Sequence, residues 1–426
     1  MTISLIDQLR TVPEIACRLY LGAEKVQANG SYIVRLDGEE HRIPLEIFNE
    51  CDKIAQTLKV RERRVEYASD VLNLRHDAED LFLENILGEK ALKILFVPAG
   101  HGAGSFYRSR LPAEFLGQGN FDVLPHHTDC LDLSKALRYD VLLIQLAAVP
   151  LLYEIAKAAQ ENGVRVVYDI DDRWDAIPDG IPGKDMFETE TVTNIEKMIA
   201  LADLVTVSTE PLREFVLTKG AKRVEVIKNN VPTPILPSRA TGDGEVFRIL
   251  WAGSPSHRQD LEVMAPALCR VLAQGKGKVR FTCFGEKPPE SLEGVFKYVD
   301  TIRFVDFADY AQTLAEVGAD VAIAPLVDND FNACKSGVKF LEYATAGYPG
   351  LYSPVGEYAY LRDIGAPIRT VENGEWENVL NDLIYNVTRK WLKDEGEKAQ
   401  KWVKSNRCLA ASKAKEWFQV AQEAIK

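Results

Sequence analysis

Paired cysteines are missing from this chain. Its seven cysteines are scattered, with no Cys-x-x-Cys and no Cys/His spacing that would hold a metal. An odd, unpatterned set reads as reduced thiols, so a cytoplasmic protein is expected and no metal site is. Residues Met1-Thr2-Ile3-Ser4-Leu5-Ile6-Asp7 have neither a basic start nor a long apolar run, so no signal peptide is expected. No stretch is long and apolar enough to span a bilayer. Positive charge is also in deficit. The net charge of −12 argues against non-specific binding to nucleic acid or to an anionic membrane surface. The dinucleotide fingerprint GxGxxG is absent, and no two carboxylates stand out as the pair of a glycoside hydrolase.

What is present is ordinary globular composition, 46% apolar and 27% charged, on a chain of 426 residues. That length suits two or three domains, each with its own core. Residues 1–90 read as a separate α+β appendage with no recognisable motif and no assigned role. Within it, Tyr32–Leu36, Asp37-Gly38 and His41–Ile43 read as a hairpin, because Asp-Gly suits a tight primed turn. The cluster Arg61, Arg63 and Arg64 lies amid acids and reads as a solvated helix face.

From residue 91 the pattern changes to strands at βα spacing. Lys93–Pro98 is an expected strand. The Gly-rich turn Ala99-Gly100-His101-Gly102-Ala103-Gly104-Ser105 follows, then a helix from about Phe106 with Tyr107, Arg108 and Arg110 near its start. Gly102 and its neighbours would let backbone approach a phosphate or sugar closely. Tyr139–Gln145, Val164–Ile170, Leu204–Ser208 and Val224–Asn230 continue the series, with helical stretches between most of them. Such alternation predicts a mostly parallel sheet covered on both faces, with ligands at the carboxyl ends of the strands. Those ends carry His101, Gln145, Asp169, Asp171, Asp172 and Ser208. Asp169-Ile170-Asp171-Asp172 reads from its residues as acids capping the next helix, and it also resembles the metal-binding DxD of one main glycosyltransferase fold.

Pro232, Pro234, Pro237, Gly242 and Gly244 mark a linker near residues 235–240. A second unit of the same kind begins with strand Phe247–Ala252, turn Gly253-Ser254 and a helix carrying Arg258. Lys278–Gly285 and Ile302–Asp306 are further expected strands, and Tyr310–Val317 is an expected helix. Val321-Ala322-Ile323-Ala324-Pro325-Leu326 reads as a buried strand. It leads through a polar loop into Lys335-Ser336-Gly337-Val338-Lys339-Phe340-Leu341-Glu342. Ser336 suits an N-cap, where free N–H groups attract anions. Val338, Leu341 and Ala344 share one face, while Lys335, Lys339 and Glu342 line another. Two lysines, a helix start and a carboxylate suit a ligand with both phosphate and hydroxyl groups. The same charges also fit an ordinary surface helix. Residues 389–426 form a charged helical tail with Trp391, Trp402, Trp417 and Phe418 as anchors.

The Lys335–Pro349 segment resembles the donor-binding signature of retaining, group-1 GT-B glycosyltransferases. Glu342 matches the second Glu of that family's motif, and Ala344, Gly347 and Pro349 follow in the family manner. The position of the first Glu, a sugar contact in the family, is occupied by Cys334. The resemblance spans about residues 91–390. It implies two facing Rossmann-like domains, 91–235 on the acceptor side and 240–388 on the donor side, and in relatives the last helix crosses back onto the first domain. It also implies transfer of a sugar from a UDP- or GDP-type donor, with retention and without metal or other cofactor. On that resemblance the donor is met by Gly253, Ser254, Arg258, Gly285, Val305, Lys335, Ser336, Gly337, Val338, Lys339 and Glu342. His101, Asp169, Asp171 and Lys335 are the candidate catalytic residues, the two aspartates facing the acceptor. The acceptor is open among a glycan, a protein and a modified nucleobase, and the oligomeric state is open. Two other functions fit the same two-domain fold: a sugar-nucleotide epimerase, and a non-catalytic nucleotide-sugar-binding subunit. Binding should bring the two domains together around the donor, with the linker and tail as the only covalent crossings.

Overall fold

The computed structural model describes residues 25–28, 31–36, 39–44, 92–100, 102–116, 121–123, 131–146, 148–181, 184–187, 189–232, 245–305, 307–409 and 411–425. The chain forms two compact units, Met1–Leu74 and Arg75–Lys426. The first contains a three-stranded antiparallel sheet of β1 (Lys25–Ala28), β2 (Ser31–Leu36) and β3 (Glu39–Pro44) in that order. Leu36 faces Glu39 in the β2–β3 pair, as a two-residue hairpin connection requires.

The second unit holds two six-stranded parallel sheets. Strands β4 (Ile94–Val97), β5 (Phe121–Val123), β6 (Val141–Gln145), β7 (Arg165–Ile170), β8 (Leu204–Val207) and β9 (Val224–Val226) build the first, in the order β5-β4-β6-β7-β8-β9. Strands β10 (Phe247–Ala252), β11 (Val279–Phe284), β12 (Val299–Ile302), β13 (Val321–Ala324), β14 (Gly350–Tyr352) and β15 (Arg369–Thr370) build the second, in the order β12-β11-β10-β13-β14-β15. The central strands read as unbroken apolar runs because helices cover both faces. Every residue of β4, β6, β8 and β13 is buried. Each sheet has its own core, one around Leu95, Val97, Leu142, Ile144 and Val166, the other around Ile249, Trp251, Leu268, Phe281 and Ile323. Chain direction along the sheet reverses between β4 and β6 and between β10 and β13. These are the points where an open α/β sheet leaves a crevice for ligand.

Local chemistry starts the helices where it should. Thr209 caps Glu210–Thr218 by accepting from the Leu212 N–H, and Thr388 caps Arg389–Asn406 by accepting from Trp391. The tail is two helices, not one. Arg389–Asn406 packs on the helix Val338–Thr345, while Ala411–Ile425 packs on Leu111–Leu116, β7 and β8 of the first sheet. The chain leaves the first domain at Val231 and returns beside it. Val231 bridges Cys408, donating to the Arg407 carbonyl at 2.9 Å and accepting from Leu409 at 2.8 Å.

Three local expectations need correction. The strand expected at Ile302–Asp306 is instead Val299–Ile302, registered from Phe281↔Val299. Beyond it Phe304 is 72% exposed, since an edge strand with one neighbour has no buried face to fix its pattern. The first-domain helix begins at Ala103, not Phe106, and passes through a π-helical turn at Phe106–Arg110. The cap of Val338–Thr345 is Gly337, with no side-chain cap bond, because the Ser336 hydroxyl is drawn away by Asn229 across the domain boundary. No helix among the described residues is long and apolar enough to cross a membrane. Cys269, Cys283, Cys334 and Cys408 are free thiols. Linker residues 233–244 lie outside the described residues.

Candidate functional site

The two switch points face each other across a cleft. On the first-domain side, Gln145 at the end of β6 clamps the Gly-rich turn. Its Oε1 accepts from the Ala99 N–H at 2.9 Å and from the Ser105 hydroxyl at 2.8 Å. Its Nε2 donates to Asp171 Oδ1 at 3.2 Å. A Cβ on Gly104 would stand 2.2 Å from Asp171 Oδ2, so a larger residue there would push the Asp171 carboxylate aside. His101 lies outside the described residues; Gly102 is exposed.

The π turn that follows sends consecutive side chains to opposite sides. Arg108 turns inward and is completely buried with Asp169. Its Nη2 lies 2.6 Å from Asp169 Oδ2, and Nη1 donates to the Asn229 side chain at 3.0 Å and to the Ile227 carbonyl. Thr206 donates to Asp169 Oδ2 at 2.6 Å, and the Arg108 guanidinium lies 4.7 Å from the Trp417 ring. Asp169, expected to face the acceptor, is therefore placed beneath the cleft wall. Both its oxygens are taken, and no surface is left for a substrate. Asp171 diverges from it because β7 ends at Ile170 and the next residue turns up toward Gln145 and Gly104.

Desolvation at this position, with repulsion from Asp172 and Asp169 behind it, pushes the Asp171 carboxyl up to about 7. An unfolded carboxyl loses its proton near pH ~4. Between those values the folded chain binds more protons than the unfolded one, so this group's contribution makes stability fall as pH rises through that window. Asp171→Asn should flatten that decline. Urea midpoints of both proteins between about pH 5 and 8 measure it, and parallel slopes would show that Asp171 titrates like an exposed carboxyl.

Tyr107 turns outward, and its hydroxyl donates to Glu342 Oε1 at 3.0 Å in a buried contact with the second domain. Glu342 is only 5% exposed. Its Oε2 accepts from the Tyr310 hydroxyl at 2.9 Å and from Lys339 Nζ at 2.8 Å. Burial and the adjacent Glu342 carboxylate hold both tyrosine hydroxyls well above their ordinary range, so each is a proton donor at neutral pH. Tyr310 stacks on Phe284, ring centroids 5.3 Å apart. Tyr343 anchors the helix under Glu342. Its hydroxyl accepts from the Ala252 N–H and donates to the Ile323 carbonyl, at the ends of β10 and β13.

Lys335 lies just before that helix, over the Phe331 ring at 4.2 Å, and pairs with Asp172 of the first domain at 3.1 Å. Nearby, His257 Nδ1 faces Asp260 Oδ2 at 2.9 Å, and since a carboxylate only accepts, Nδ1 carries the proton. Burial, aided by the charges of Lys335 and Lys339, holds His257 below its ordinary range, so the ring stays neutral at pH 7. Asp260 also accepts from the Val327 N–H and from Asn332, fixing the loop after β13. Arg258 is half-exposed and bound to Glu286. Gly285, at φ +94°, brings the turn after β11 against Gly253: a Cβ there would stand 2.5 Å from the Gly253 carbonyl oxygen. Ser254 shares a hydrogen bond with Ser256 at 2.7 Å. Val338 is half-buried at the helix start, and Val305 lies half-buried beyond β12.

The structure thus gathers Lys335, Lys339 and Glu342 with His257 at one switch point. Arg258, Gly253, Ser254 and Gly285 lie around it, and Asp171 lies on the facing wall. Cys334 departs from the acidic pattern in placement as well as chemistry. It is buried with the apolar core of the first domain, and its carbonyl accepts from Thr209 at 2.8 Å. Asp172 is one of the strand-end residues expected near ligand, whereas Tyr107, His257 and Tyr310 are site members that no motif in the sequence marks. Tyr107 and Asp172 were visible beside the Gly-rich turn and the acidic strand end. Nothing in the sequence marks Tyr310. Among the described residues no group of His, Cys, Asp or Glu is placed to hold a metal ion.

No family model matches the sequence, and no curated protein does. Solved structures match by shape. Sucrose-phosphate synthase from Thermosynechococcus elongatus superposes with a TM-score of 0.57 at 12% identity, covering 78% of this chain and 98% of that one. Anabaena HepE, in a complex with UDP, does so with a TM-score of 0.56 at 15% identity, covering 78% and 100%. HepE in its UDP-glucose complex gives 0.55 at 15% identity, covering 78% and 98%. At such low identity these likenesses speak to architecture alone. The chain has the GT-B fold, two Rossmann-like domains with a cleft between them.

Proposed function

We propose that this protein is a glycosyltransferase that moves a sugar from a nucleoside-diphosphate sugar, of UDP or GDP type, to a hydroxyl-bearing acceptor. The observation that carries the reading is the state of Glu342. One hydroxyl sits on each of its carboxylate oxygens, Tyr107 at 3.0 Å and Tyr310 at 2.9 Å, the pattern a vicinal diol such as a ribose would impose. Lys335 and Lys339 stand beside it, positive groups for a diphosphate that gains charge as the glycosidic bond breaks. The backbone N–H groups near Gly337 and Val338 add donors to the same region. Gly253, Ser254, Gly285 and Val305 line the remaining donor positions, and Arg258 contributes once freed from Glu286. The UDP and UDP-glucose complexes of HepE, which shares the fold, support a donor of this class.

In this reading residues 91–235 receive the acceptor and residues 240–388 the donor. Residues 389–426 return the chain to the first domain, and residues 1–90 are an appendage. Asp171 faces the acceptor, a glycan, a protein or a modified nucleobase, and His101 is kept as a catalytic candidate. Retention of anomeric configuration and a cytoplasmic site of action complete the proposal. Incubation with a panel of radiolabelled UDP- and GDP-sugars tests it. Slow hydrolysis or transfer of one sugar is the expected result. Epimer formation, or binding with no turnover against a broad acceptor extract, would replace it with one of the two other functions this fold accommodates.

The reaction should not need a divalent metal, because lysines and helix N–H groups take the place of one at the diphosphate. Turnover in excess chelator should equal turnover without it. Loss of activity restored by manganese would give Asp171 and Asp172 a metal-binding role instead.

A further inference from the structure

Two charged second-domain residues assigned to the donor, Glu342 and Lys335, are engaged by the first domain. Glu342 receives the Tyr107 hydroxyl and Lys335 receives the Asp172 carboxylate. Each substitute has the polarity of the ligand part it replaces. A phenol donates to the carboxylate as a ribose hydroxyl would, and an anion accepts from the lysine as a phosphate would. We propose that Tyr107 and Asp172 form a latch that holds the cleft shut when it is empty and that a nucleoside diphosphate displaces. This rests on the donor-site reading above, and it reverses the closure on binding expected from the sequence: the domains already touch through Tyr107 and Asp172, and a nucleotide must first part them.

The remaining contacts across the cleft fall into two groups. Those near the chain crossing form a pivot. Asn229 donates to Ser336 at 2.9 Å, and Lys228 and Arg407 bracket Glu357 at 2.7 and 3.1 Å, close to the Val231–Cys408 bridge. Arg173 with the exposed Asp330 at 3.3 Å, and Gln259 with the Asp179 carbonyl, join the latch side. Opening releases these pairs and the buried Tyr107 hydroxyl, while the pivot, which also holds the Cys334 carbonyl to Thr209 at 2.8 Å, stays intact. Tyr107 must move for a second reason. It is almost fully buried against Glu342, and a diol needs both carboxylate oxygens.

The latch reverses the sign expected of a ligand contact. A residue that holds nucleotide weakens binding when removed, whereas a residue that competes with nucleotide strengthens it. UDP and GDP are titrated calorimetrically into the full chain as wild type, Tyr107→Phe, Asp172→Asn, the double variant and Glu342→Gln. Tyr107→Phe should bind about three- to tenfold more tightly than wild type, Asp172→Asn more tightly by up to about fivefold, and the double variant more tightly still. Glu342→Gln should bind more weakly. Binding by the double variant alone would also support the latch. Equal or weaker binding by Tyr107→Phe and Asp172→Asn, with wild type and Glu342→Gln behaving as above, overturns the latch and leaves the donor site standing. No binding of either nucleotide to any of the proteins removes the donor site and the latch together. Scattering without nucleotide decides independently of ligand. The double variant should have a larger radius of gyration than wild type, and identical curves overturn the latch.

Discussion

Asp169→Ala is expected to cost about 3–5 kcal/mol of stability, because it leaves the Arg108 guanidinium buried without its counter-charge. Neither side chain exposes any surface, so water cannot take over the missing role. The Asn229 and Ile227 acceptors that remain are neutral. A loss of that size should lower the melting temperature by roughly 5–10 °C in a body this large. The damage should reach the tail as well. Arg108 lies against Trp417, which packs edge-on against Phe96 at 6.3 Å and so ties the last helix to the first sheet. Near-UV circular dichroism during a thermal melt follows both effects. Combining Asp169→Leu with Arg108→Met should recover much of the loss, since an apolar pair of similar volume carries no desolvation cost. A melting point within about one degree of wild type for Asp169→Ala would mean that Asp169 is solvated and open to a substrate after all.

That pair marks the boundary of what the sequence could reveal. Strands such as Val141–Gln145 and Val321–Ala324 were legible because a parallel strand buried on both faces is a continuous apolar run with glycines or a proline beyond it. Their alternation with helices gave two Rossmann-like units, and the tandem of Lys335, Lys339 and Glu342 pointed to one switch point. Edge strands were not legible in the same way. Phe121–Val123 has three residues and one neighbour, and Val299–Ile302 has no strictly buried face. Asp169 and Asp171 could not be told apart, because both precede a turn in an acidic run and only the end of β7 at Ile170 sends one down to Arg108 and the other up to the cleft. The partners of Glu342 were invisible for another reason. Tyr107 is 235 residues away in sequence, and its approach depends on how two sheets with separate cores face each other. Ser336 follows the same logic. Its residue type favours a local cap, but a bond to Asn229, 107 residues distant, outcompetes that preference.

Lys335→Ala should raise the dissociation constant for UDP or GDP roughly tenfold or more, since a charge-assisted bond to phosphate contributes about 1.5–3 kcal/mol. Two effects of this substitution oppose each other, and their sizes decide the sign. Removing Lys335 also releases Asp172, which relaxes the empty cleft and favours ligand entry. Asp172 is 43% exposed, however, and pairs of that kind are worth about 0–1 kcal/mol. The phosphate bond forms where Lys335 is 13% exposed and pinned over Phe331, so losing it outweighs the release of Asp172. Lys335 and Asp172 therefore touch each other, yet their variants should move nucleotide affinity in opposite directions, Lys335→Ala weaker and Asp172→Asn tighter. A simple structural ion pair would give both variants the same sign. Calorimetric titration of both nucleotides into the two variants separates these cases. An unchanged affinity in Lys335→Ala would take the diphosphate away from this lysine and leave Arg258 as the cation to test next.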